Sequence, residues 1–193
     1  ESIVFSPGII PALNRLVPLL THEEDSILIL TPSYAPFKKA GDYSGRRVAE
    51  CPLKNSQGHW TPDFEAMEQA LCDEQKRIKV FFLCNPHNPT GRVWRRDELQ
   101  KMIALCLQHD VWVISDEIHC DLSRSGVRHI PAASVFPENH KIITCMSTSK
   151  TFNLAGMMIS NILIRDEELR AVWLDRHYNF DNPLSIAAVQ AAY

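Results

Sequence analysis

Short apolar runs alternate along this chain with longer stretches of helical repeat. Residues 27–30, 47–51, 80–84, 111–114, 142–145 and 161–164 are dominated by Ile, Leu, Val, Phe and Cys and are bounded by polar or turn-forming residues, so they predict six strands. Between them, Leu99, Met102, Ile103, Cys106 and Leu107 recur at the spacing of one helix face and predict a helix over residues 96–109. Leu13, Leu16, Val17 and Leu20 predict another near the start, although Pro18 interrupts the pattern. Thr61-Pro62 ahead of Phe64, Met67 and Leu71 reads as an N-cap, a first-turn proline and an apolar stripe. A last helical pattern runs through Ile186, Ala187, Val189 and Ala191. Strand and helix in alternation imply an α/β fold with a mostly parallel sheet covered by helices, three αβα layers in all.

Composition narrows the function classes. The chain has 193 residues, 45% hydrophobic and 22% charged, enough for one domain with a substantial core. A net charge of -3 offers no basic surface for nucleic acid, and no apolar run is long enough to span a membrane. A small-molecule partner and a cytoplasmic location are therefore expected. Cys51, Cys72, Cys84, Cys106, Cys120 and Cys145 form no C-x-x-C pair and no zinc-spaced cluster, so they are expected to be buried reduced thiols. The chain opens on Glu1 and stops within a helical pattern, and is expected to be a piece of a longer polypeptide.

In an open α/β sheet, ligands sit beyond the carboxyl ends of the strands. Polar residues collect there: Tyr34 after the first predicted strand, Asn88 after the third, Asp116 and His119 after the fourth, and Ser147, Ser149 and Lys150 after the fifth. A lysine or aspartate at one such position is ordinarily a surface charge or a turn cap. Four strand ends carrying an aromatic ring, an amide, a carboxylate and an amine form a far more specific set.

That set resembles the ordered signature of the class I/II aminotransferase superfamily, fold type I: Asn88-Pro89-Thr90-Gly91, then Asp116, then Ser147-Thr148-Ser149-Lys150. The stretches around it, Cys84 to Trp94, Ser115-Asp116-Glu117-Ile118-His119 and Ser149-Lys150-Thr151-Phe152-Asn153-Leu154-Ala155-Gly156, resemble the cystathionine β-lyase/cysteine desulfhydrase (C–S lyase) subgroup. The resemblance implies a large domain over residues 1–193 that binds pyridoxal 5′-phosphate (PLP), with the small domain and an N-terminal segment lying outside it. It further implies that Lys150 carries the cofactor covalently and acts as the base. Asp116 would pair with the pyridine nitrogen, Asn88 with the phenolate oxygen, and Tyr34 would stack on the ring. Phosphate would be met by the backbone N–H groups of Ile9 and Ile10 at a helix start and by Ser147 and Ser149. His119 stands where many aminotransferases carry tyrosine, and favours the lyase subgroup. Met158 stands where many carry a phosphate-binding arginine, so phosphate must rely on the other donors.

The expected activity is α,β-elimination from L-cystathionine or L-cysteine derivatives to thiol, pyruvate and ammonia, in a homodimer. An aminotransferase is the alternative within enzymes, and a non-catalytic effector domain of a regulator is the alternative outside them. The run Ser115-Asp116-Glu117-Ile118-His119 also fits a DExH-box ATPase, but no G-x-x-x-x-G-K-[ST] loop accompanies it. His129-Ile130-Pro131 reads as loop, with a place at the edge of the site as the less favoured reading.

Overall fold

Side chains alternate across a β-strand, and in the central strands of this chain both sets are apolar. That requires a helical layer on each face. The computed structural model describes residues 2–175 and has that architecture. Seven strands form the main sheet: β1 (Ile3–Ser6), β2 (Ser26–Thr31), β3 (Arg47–Pro52), β6 (Ile78–Cys84), β7 (Trp112–Asp116), β8 (Ile142–Met146) and β9 (Ser160–Leu163). The short hairpin of β4 (Lys54–Ser56) and β5 (His59–Thr61) lies apart from it. The sheet order is β1-β9-β8-β7-β6-β2-β3. The five strands from β3 to β8 are parallel, while β9 runs antiparallel to both β8 and β1.

Helices α1 (Ile9–Leu20), α2 (Ala35–Ser44) and α5 (Glu167–Asp175) cover one face, where Ile27, Ile29, Val80, Phe82, Ile114 and Ile143 are buried. Helices α3 (Phe64–Cys72) and α4 (Arg96–Gln108) cover the other, over Leu28, Leu30, Phe81, Leu83 and Val113. All six predicted strands are present, and the main sheet gains β1 at its antiparallel edge. Its four residues are too short a run to register as a periodic pattern.

Three helix expectations change. Helix α1 continues through Pro18, because a missing N–H so near the end removes a single backbone bond. Helix α3 is capped by Asp63, whose Oδ1 accepts the Ala66 N–H at 3.1 Å; Thr61, expected as the cap, is paired in β5. Helix α2, with few apolar positions, gave no sequence signal and is held by Phe37 and Ala40. The pattern at 186–191 lies outside the described residues. Cys51, Cys84, Cys106 and Cys145 are buried free thiols, as expected, and Cys120 is half-buried; Cys72, at the end of α3, is exposed instead.

Candidate active site

The carboxyl ends of β2, β6, β7 and β8 surround a cavity of about 260 Å³, closed on its remaining side by the start of α1 and the turn before β9. All nine residues singled out from the sequence line it: Ile9, Ile10, Tyr34, Asn88, Asp116, His119, Ser147, Ser149 and Lys150. Among the described residues, Lys150 is the one lysine or arginine in its wall.

Asp116 ends β7, between Cys84 of β6 and Cys145 of β8 in register. Its Oδ1 accepts the Ile118 N–H at 3.1 Å, and among the described residues Oδ2 has no hydrogen-bond partner. Burial pushes the Asp116 carboxyl up to about 7, against a smaller pull downward from the Ile118 N–H and the Lys150 charge. The flanking thiols stay neutral and add no charge of their own, since burial raises Cys84 to about 12 and Cys145 well above its ordinary value. The site thus holds a carboxyl that a cationic partner would relieve.

Asn88 is held by a loop wired into the sheet. Buried Asn85 accepts the Trp94 N–H at 3.2 Å and donates through Nδ2 to the Ile130 carbonyl at 3.0 Å, while Trp94 Nε1 donates to the Cys84 carbonyl at 2.8 Å. Cys84 Sγ accepts the Asn88 N–H at 3.4 Å. Cys84 opens one of the motif stretches without being expected in the site, although its register opposite Asp116 follows from aligning the two strand ends. Tyr34 precedes α2, and its ring meets Phe37 edge-on at 5.8 Å; Phe37 in turn packs on Phe82. His119 lines the cavity and also an adjoining hollow that includes Asn88 and Arg124. Burial first, then the Lys150 charge, hold its imidazole below the ordinary range.

At the opposite end, Gly8 turns the chain from β1 into α1 at φ +146°, a conformation that side chains rarely adopt. The first N–H groups of α1, those of Ile9 and Ile10, have no acceptor within the helix and carry the positive end of its dipole. Ser147 Oγ accepts the Ser149 N–H at 3.1 Å and donates to the Ile159 carbonyl at 2.7 Å, which ties the lysine turn to the start of β9. Ser160 also lines the cavity and carried no sequence signal. His129 does not reach the cavity; its Nε2 sits 2.7 Å from Glu117 Oε2 on the far side of β7.

A lysine and a buried carboxylate at the ends of adjacent parallel strands, with a helix N-terminus across the cavity, define a PLP-type α/β fold, and the family model for aminotransferase class I and II matches residues 1–193. The chain belongs to that family. Over its full length it is 41% identical to the cystathionine beta-lyase PatB of Bacillus subtilis (strain 168), of which it covers 51%. It superposes on the PLP-bound C–S lyase of Staphylococcus hominis with a TM-score of 0.93 and 47% identity, covering all of this chain and 49% of that one. Cystalysin of Treponema denticola, whose crystal structure contains PLP, matches with a TM-score of 0.84 and 39% identity over 88% of this chain and 43% of that one. The chain spans about half the length of the relatives it matches.

Proposed function

We infer that these residues are the PLP-binding large domain of a C–S β-lyase, which releases thiol, pyruvate and ammonia from L-cystathionine or a related L-cysteine thioether. The observation that carries this reading is a cavity in which Lys150, the one amine among the described residues of its wall, faces a buried carboxyl, Asp116, raised by that burial. Likeness to enzymes named C–S lyases supports elimination over transamination.

The residues present fit the cofactor. Asp116 would hold the proton on the pyridine nitrogen, Tyr34 would stack on the ring, and Asn88 with His119 would hold the phenolate oxygen. Ile9 and Ile10 would offer backbone N–H groups to the phosphate, with Ser147 and Ser149 beside them. When bound, PLP supplies an electron sink for charge developing at the substrate α-carbon. Lys150 Nζ would hold the cofactor through its aldehyde carbon and, when free, would be the base placed to take the proton from the substrate α-carbon. The same Nζ is the group available to protonate the departing sulfur.

Further features support a homodimer. Phe152, Leu154 and Met158 are exposed on the lysine turn and the segment after it, where a second copy would cover them. Among the described residues no helix is long and apolar enough to cross a membrane, which is compatible with a cytoplasmic enzyme.

Borohydride treatment of the PLP-loaded protein should fix the cofactor to Lys150, and Lys150→Ala should abolish this retention along with pyruvate release. Retention undiminished in Lys150→Ala would sink the assignment. With cystathionine as substrate, pyruvate and thiol are expected; keto acid without thiol would make the protein an aminotransferase, and PLP binding without turnover of any amino acid would favour the effector-domain alternative.

A further inference from the structure

A phosphate held without arginine needs hydrogen-bond donors with protons to spare, and the cavity wall allows these to be counted. Ser147 donates its one hydroxyl proton to the Ile159 carbonyl, which can only accept. The 2.9 Å contact between the Ser147 and Ser149 hydroxyls then takes the Ser149 proton. Ser6, paired with Ser160 across β1 and β9, spends its own proton on the Gly8 carbonyl at 2.8 Å. Each of these three serines would have to give up a bond within the protein before donating to a phosphate.

Ser160 is different. It is 1% exposed, its Oγ has no hydrogen-bond partner among the described residues, and it lines the cavity. Thr148, the other buried hydroxyl without a partner, is not part of the cavity wall. A buried hydroxyl left unpaired is unfavourable, and in native proteins it calls for a ligand or another specific cause. The position of Ser160 names the ligand: it opens β9 directly beside Ser6, two residues ahead of the glycine from which α1 starts. The hydroxyl therefore shares the end of the cavity with the α1 N–H groups, where an anion is favoured.

We propose that Ser160 is a phosphate ligand, its hydroxyl donating to a phosphate oxygen of PLP beside the N-terminus of α1. This rests on the reading of the cavity as a PLP site. It adds a donor that lies beyond the serine-lysine motif and replaces, with a neutral group, part of what a guanidinium would supply from the position of Met158.

The test compares PLP with pyridoxal, which lacks the phosphate, in titrations of the cofactor-stripped protein followed by absorbance. Ser160→Ala is expected to weaken PLP binding about tenfold or more, as for a hydrogen bond to a charged group, while pyridoxal binding is unchanged. Ser160→Cys, which keeps the volume but is a weak donor, should behave the same way. The phosphorus NMR signal of bound PLP should shift in both variants. Equal weakening of PLP and pyridoxal, or no change in either, overturns the proposal. So does a lower thermal midpoint of the cofactor-free Ser160→Ala protein, because an unpartnered hydroxyl should not be stabilising. Wild-type protein that fails to bind PLP at all would instead refute the underlying cofactor reading.

Discussion

Asp116 and Glu117 are consecutive carboxylates at the end of one strand, and they have opposite fates. Alternation sends Glu117 away from the cavity, into a buried pocket where Oε1 accepts from Ser115 Oγ at 3.0 Å and from the Ala132 N–H at 2.9 Å, while Oε2 meets His129 Nε2 at 2.7 Å. Asp116 faces the cavity with a single backbone donor. Both residues are almost wholly buried, at 1% and 4% exposure, so burial does not separate them. Partners do. Glu117 is saturated and fastens the 129–132 segment to the sheet, whereas Asp116 is left short of hydrogen bonds in the place where a ligand enters. A structural carboxylate and the one proposed to hold the cofactor are distinguished here by what they lack.

That contrast can be broken from either side. The largest effect is expected from Glu117→Ala, which strands Ser115, His129 and the Ala132 N–H together and should cost about 3–5 kcal/mol of stability in urea unfolding. Asp116→Asn should leave the fold intact and lower lyase turnover about a hundredfold or more, the scale of losing one preorganised electrostatic group in an active site. A comparable turnover loss from Glu117→Gln, in protein shown to be folded, would erase the distinction.

A third test uses pH. The Asp116 carboxyl titrates near 7 in the folded, cofactor-free protein against 3.8 ordinarily, so the unfolded chain gives up this proton first. Stability from this group is complete below about pH 4 and is lost as pH rises through about 7. Cofactor-free Asp116→Asn should therefore be more stable than wild type at pH 8, by about 1–3 kcal/mol, with no gain at pH 4. Equal gains at both values would mean that packing, not titration, is responsible. The smallest effect is expected from His129→Gln, which keeps a donor to Glu117 and should cost about 1 kcal/mol with turnover unchanged.

Much of the site was legible in one dimension because strand ends are local features. A β-branched or apolar run stops where the sheet stops, and the polar residues that follow must lie at its rim; in a parallel sheet those rims coincide. Tyr34, Asn88, Asp116 and Lys150 could thus be assigned to one crevice ahead of any strand order, and six of the seven strands of the main sheet followed from the same runs. The weakly patterned elements were not legible: β1 is too short, α2 too polar, and the true cap of α3 is chosen by the β4–β5 hairpin that occupies Thr61.

Other features exist only once distant segments meet. The reversal of β9 against β8 sets Ser160 beside Ser6, and no periodicity in either segment foretells that pairing. Two of the partners of Glu117, His129 and Ala132, come from a loop further along the chain, and the contact between Cys84 and Asn88 depends on a turn. Residue type and spacing determined which chemical groups the chain carries to its strand ends. Long-range packing decided which of them are satisfied by the protein and which, as with Asp116 and Ser160, are left short of partners among the described residues, because hydrogen-bond satisfaction belongs to the assembled neighbourhood and not to the residue.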